Sequence, residues 1–141
     1  MFARRAATFV ALIASVSIIA GCAGSSSNNA KEFKGTEAEV ADTINKLSTS
    51  MQKGQEDVIC RTLLSPETVK EIRAVQDRGC EAVLPSLLGP SDTKIEVTDV
   101  TVTGDNAVAT VKLADPKDGE NDQSSQLKLA KYQGVWKVEL R

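Results

Sequence analysis

Between residues 36 and 75 apolar side chains recur every three or four positions, and beyond residue 94 every second position, so the chain predicts helices first and strands afterwards. Thr36 and Glu39 stand at capping-box spacing, and Val40, Ile44, Leu47 and Met51 follow at helical intervals before Gly54, a stop signal. This predicts an amphipathic helix with one buried stripe. "EDVICRTLL" predicts a shorter second helix through Val58, Ile59, Leu63 and Leu64, and Ser65 and Pro66 form the N-cap and first-turn proline of a third. That third helix carries Val69, Ile72 and Val75 until Gly79 breaks it, and "EAVLPSLLGP" predicts a further turn or two of helix interrupted at Pro85.

The period then changes. Ile95 and Val97 share a face, whereas Val100 and Val102 fall one step out of phase, which predicts a bulge near Thr98 and Asp99. "TGDN" reads as a turn into a returning strand with Ala107, Ala109, Val111 and Leu113 alternating. After the polar, acidic loop "ADPKDGENDQ", "SSQLKLAKY" and "VWKVELR" predict a second hairpin across Gln133 and Gly134. Trp136, Val138 and Leu140 share one face, as do Leu127 and Leu129, so one side of the sheet is apolar and needs a cover of helices. The expected fold is α+β, with N-terminal helices packed on a curved four-stranded antiparallel sheet.

Ahead of this lies a different kind of segment. "MFARR" supplies two arginines, and Ala6 to Ala20 is an uncharged apolar run of fifteen residues, the layout of a secretory signal. At about 1.5 Å per residue the run falls short of the roughly 30 Å hydrocarbon core, which disfavours a permanent transmembrane helix. "FARRAATF" lacks the polar and apolar neighbours of a twin-arginine signal, which favours general secretory export. Ile19, Ala20, Gly21 and Cys22 resemble the lipobox of bacterial lipoproteins. That resemblance implies that the Cys22 thiol takes a diacylglycerol, with further acylation such as palmitate, that cleavage falls before Cys22, and that the protein sits at the extracytoplasmic face of a cell membrane. "AGSSSNNAKEFKGTEAE" is too poor in apolar surface to offset chain entropy. The expected organisation is a signal peptide at 1–21, a lipid-anchored disordered tether at 22–35 and a single α+β domain at 36–141.

Within that domain, "VTVTGDNAVATVKL" and "LKLAKYQGVWKVEL" resemble the two closing hairpins of the nuclear transport factor-like, or cystatin-like, superfamily. The resemblance implies a cone-shaped sheet around the long first helix with a pocket at its open end. Carried onto this chain, Val40, Ile44, Leu47, Met51, Leu127, Leu129, Trp136 and Val138 become candidates for core or pocket lining. Enzymes of that superfamily place an Asp, Glu or His deep in the pocket, and none of these maps onto a residue here. The superfamily also includes carriers and interaction modules, so the fold implies no activity.

Cys60 and Cys80 remain once Cys22 is assigned to lipid, and an even pair in an exported domain points to a disulfide from the second helix to the end of the third. Two buried free thiols, or a reactive pair without Cys-X-X-Cys spacing, are the alternatives. The chain has no histidine, which removes Ser-His and Cys-His nucleophile pairs and His-ligated zinc. Asp115, Asp118, Glu120 and Asp122 crowd one loop, but not at the spacing of a calcium-binding hand. Loss of residues 1–21 removes Arg4 and Arg5, leaving 15 basic against 19 acidic residues and a formal charge of −4, which argues against nucleic acid as a partner. Phe2, Phe9 and Phe33 lie ahead of the domain, so only Tyr132 and Trp136 are aromatic within it. Lys128, Lys131 and Lys137 alternate with apolar residues, the pattern of a strand's solvent face.

Together these features predict a membrane-tethered, non-enzymatic binding or interaction module without metal or cofactor. Its ligand is a small apolar molecule or a protein partner. An isomerase- or dehydratase-like enzyme with a buried carboxylate, and an accessory domain of a cell-wall enzyme, are the alternatives.

Overall fold

The first helix, α1 (Thr36–Gln52), opens on glycine rather than on a side-chain cap. Gly35 holds the N-cap position at φ 56°, and its carbonyl accepts from the Ala38 and Glu39 amides at 3.1 and 3.3 Å. Thr36 is thus already helical, the expected capping box does not form, and the Glu39 carboxylate is left for another partner. At the other end Gly54 takes a positive φ, its amide donates to Met51 O at 3.0 Å, and Gln55 donates to Ser50 O at 2.9 Å. This paired closure is a Schellman motif, which a left-handed glycine permits.

These elements come from a computed structural model that describes residues 32–75, 77–114 and 123–140. The apolar N-terminal run, the lipobox with Cys22 and the acidic loop at 115–122 lie outside the described residues.

A short α2 (Glu56–Val58) passes directly into a π-helical turn, Ile59–Leu63, closed by the Leu64 amide on Ile59 O at 3.0 Å. Leu64, expected to be helical, is extended instead and forms a parallel bridge with Val138, beside which the Ser65 amide donates to Val138 O at 2.9 Å. Ser65 then caps α3 (Pro66–Val75) as expected, its Oγ accepting from the Thr68 amide at 3.1 Å. Ile72 is buried in α3, but Val75 is 77 % exposed and does not extend the stripe. The last helix, α4 (Cys80–Leu88), runs through Pro85 rather than breaking there. Pro85 has no amide to donate to the Glu81 carbonyl four residues back, and both residues are exposed, so the helix continues through it on its solvent side.

The strands β1 (Lys94–Thr103), β2 (Asn106–Ala114), β3 (Gln123–Tyr132) and β4 (Val135–Glu139) pair antiparallel in the order β1-β2-β3-β4. The register of β1 against β2 shifts between Val97 and Asp99, where the phase slip places the bulge. A two-residue turn at Gly104 and Asp105 closes the first hairpin. Gln133 at φ 50° and Gly134 at φ 82° close the second, matching the twist of the strands.

The fold is therefore α+β: among the described residues, four α-helices and one π turn pack on one curved antiparallel sheet. Val40, Ile44 and Leu47 of α1 are fully buried against the inner sheet face, to which Val97, Ala109, Val111, Leu129 and Val138 contribute. Trp136 is buried beneath the start of α1, and its Nε1 donates to Glu39 Oε2 at 3.3 Å. Lys131 Nζ lies 5.1 Å from the centre of the indole ring and 3.6 Å from the same carboxylate oxygen. Lys131 is thus on the helix-facing side, in phase with Leu129 rather than on the solvent face. Ser48 Oγ accepts from the Ile95 amide at 3.1 Å, which satisfies the start of the edge strand β1 from within α1.

Candidate functional site

The residues that the sequence offered as core or pocket lining belong to the core. Val40, Ile44, Leu47, Met51, Leu129, Trp136 and Val138 are buried, and Leu127 is partly buried against them. Of this set only Met51 borders one of the concavities described here, a dimple of about 30 Å³ with Ile59, Leu84 and Leu88, room for little more than a water molecule. The helix-facing side of the sheet is filled by side chains at these positions.

Two larger grooves flank α3. At 3.6 residues per turn, Thr68, Glu71, Ile72 and Val75 fall on one side of that helix, and Pro66, Val69, Lys70 and Arg73 on nearly the opposite side. The first set faces Val83 and Leu87 of α4 and Leu140, and together they line an open groove of about 660 Å³. Its walls are aliphatic apart from Thr68 and Glu71. Leu87 is 51 % exposed and, like Val75, presents an uncovered apolar side chain. The second set faces Cys60, Arg61 and Leu64 from the π turn and its exit and Lys137 from β4, around a groove of about 400 Å³.

The position of α3 is set at both ends. Ser65 Oγ donates to Thr68 Oγ1 at 3.0 Å, and Thr68 Oγ1 also accepts from the Leu140 amide at 3.2 Å, so the N-terminus of α3 is stitched to the end of β4. Beyond its C-terminus the chain returns to a disulfide between Cys60 and Cys80, which ties the π turn to the first residue of α4. The Lys137 ammonium donates to the Thr62 carbonyl, joining β4 to the same π turn.

Among the described residues one titrating group is strongly perturbed. The Tyr132 hydroxyl donates to Glu139 Oε1 at 3.3 Å. A hydrogen bond to Glu67, partial burial, and the negative charges of Glu67 and Glu139 raise its pKa from 10.0 to about 12, against a smaller lowering by Ser65. Among the described residues no group of three or more His, Cys, Asp or Glu could hold a metal ion. None of their helices is long and apolar enough to cross a membrane.

Compared with known proteins, the chain matches no family model and no curated sequence. The grooves are therefore read from their own chemistry. The apolar residues of α4, Val83, Leu84, Leu87 and Leu88, form one continuous face, and nothing in that pattern signals that Leu87 is left exposed at its edge. Lys70 and Arg73, three apart on α3, signal one side of the basic groove. Arg61 and Lys137 join them only through tertiary structure.

Proposed function

We propose that this protein is a lipid-anchored extracytoplasmic binding module that takes an aliphatic ligand in the groove between α3 and α4. The observation that carries the binding role is that groove of about 660 Å³, with Val75 77 % and Leu87 51 % exposed on its walls. Large uncovered aliphatic side chains converging on one concavity mark an interaction site more than a solvated surface. The anchoring role rests on Ile19, Ala20, Gly21 and Cys22 and their resemblance to a lipobox. The Cys60–Cys80 disulfide supports an oxidising compartment. The resemblance of the domain to cystatin-like modules is compatible with binding without chemistry.

Two measurements on the full chain test this reading. Intact-mass analysis of membrane-extracted protein should show Cys22 diacylated at a new N-terminus, and Cys22→Ser should prevent that processing; an unmodified Cys22 in wild type refutes the anchor. Photolabelling with an aliphatic diazirine should place adducts chiefly on the peptides of α3 and α4 and lose them in Val75→Gln/Leu87→Gln. Adducts spread evenly over the domain, or unchanged in the variant, refute the groove.

A further inference from the structure

The groove on the other side of α3 has a different chemistry. Arg61 from the π turn, Lys70 and Arg73 from α3, and Lys137 from β4 surround a floor that includes Leu64 and Val69, and no carboxylate is among its lining residues. This runs against the chain as a whole, in which 19 acidic residues outnumber 17 basic ones. The two ion pairs described, Lys46 with Asp42 and Lys131 with Glu39, take none of these four cations. Four like charges around one concavity repel one another in the empty groove, and that repulsion is relieved by an anion seated among them. Two of the four are arginines, whose planar forks match the oxygens of a phosphate. Arg61 is carried on a π-helical turn, a distortion frequent at functional sites. The disulfide at Cys60 and the Lys137 bond to the Thr62 carbonyl hold that turn in place.

We propose that this basic groove binds a phosphate group carried on an apolar stem, with the phosphate among Arg61, Lys70 and Arg73 and the stem on Leu64 and Val69. Charge complementarity selects the anion and the aliphatic floor selects what is attached to it. The site is separate from the aliphatic groove, because its residues occupy the opposite side of α3. It does not depend on the lipid anchor. The phosphate has two sources, a membrane phospholipid headgroup or a soluble phosphate ester.

The test uses the full chain in dodecyl maltoside micelles, which carry no phosphate, titrated calorimetrically with hexyl phosphate, inorganic phosphate and hexanol. Hexyl phosphate should bind at least about tenfold more tightly than either of the others, and added salt should weaken it. Arg61→Gln/Lys70→Gln/Arg73→Gln, at three exposed positions, should abolish that preference, whereas Lys53→Gln, on a distant exposed cation, should leave it unchanged. Repeating the titration in the same micelles with phosphatidylglycerol added separates the sources. A loss of hexyl phosphate affinity there identifies the headgroup as occupant, and an unchanged affinity identifies a soluble ester. Hexyl phosphate that binds no better than hexanol or inorganic phosphate overturns the proposal, as does equal binding by the triple variant with its thermal unfolding unchanged.

Discussion

Replacing Cys60 and Cys80 together by alanine should lower the free energy of unfolding by about 3 kcal/mol. The two residues are 20 apart in sequence, and in the chain-entropy account a closed loop of that length restricts the unfolded ensemble by roughly that amount. Both positions are buried, so the lost sulfur packing acts in the same direction. Alanine is the informative substitute, because serine would bury a hydroxyl at a further cost of roughly 1–3 kcal/mol if left without a partner. For a domain near 100 residues the expected fall in Tm is about 12 to 24 °C. Urea unfolding followed by Trp136 fluorescence supplies the free energy, and the denaturant slope should rise as the uncrosslinked chain exposes more surface. Reducing the wild-type protein should reproduce most of the change without altering composition. A double variant within about 1 kcal/mol of wild type would show that the crosslink does not hold the fold as argued.

Trp136→Ala should cost roughly 3–5 kcal/mol by emptying the site beneath α1, whereas Glu39→Gln, which weakens only half-exposed contacts to the indole and Lys131, should cost under about 1 kcal/mol; equal losses in urea unfolding would refute this ranking. Tyr132 is the chain's only tyrosine, so its phenolate absorbance reports one group, and the native protein should titrate near pH 12 rather than 10.0. Because the folded state holds that proton more tightly than the unfolded state, the contribution is intact below pH 10.0 and is lost as pH rises towards 12. Glu67→Gln should bring the midpoint down, and a native midpoint at the ordinary value would refute the carboxylate contacts.

What the sequence made legible is what depends on periodicity. The stripe from Val40 to Met51 and the alternation of Trp136 and Val138 identify the two surfaces that form the core, and the phase slip after Val97 places the bulge. Cys60 and Cys80 were legible as a pair because they are the two cysteines left once Cys22 is set aside, and two cysteines have one simple pairing. Features set by competition between partners were not. Glu39 sits at capping-box spacing, yet Trp136 and Lys131, 97 and 92 positions later, take its carboxylate, while Gly35 caps the start of the helix without it. The π turn has no periodic signature, since one extra residue per turn is fixed by the bridge of Leu64 to Val138. The choice between core and pocket lining was not legible for a related reason: periodicity identifies apolar positions but does not distinguish side chains that fill a space from side chains that line one.

The two grooves share α3 as a wall, and that helix has little core of its own. Only Thr68 and Ile72 are buried among its ten residues. A helix of that length is marginal by itself, so its placement depends on the Ser65–Thr68–Leu140 network at one end and the disulfide beyond the other. Both long sides are left available to ligands, one aliphatic and one cationic. Where a ligand on either side adds order to α3, it lowers the ordering cost met by a ligand on the other, by the same factor in both directions; slower amide exchange in α3 on adding hexyl phosphate would show that gain, and unchanged exchange would exclude the coupling. An aliphatic ligand and a phosphate-bearing one would then favour each other's binding through a helix that neither contacts on the same face.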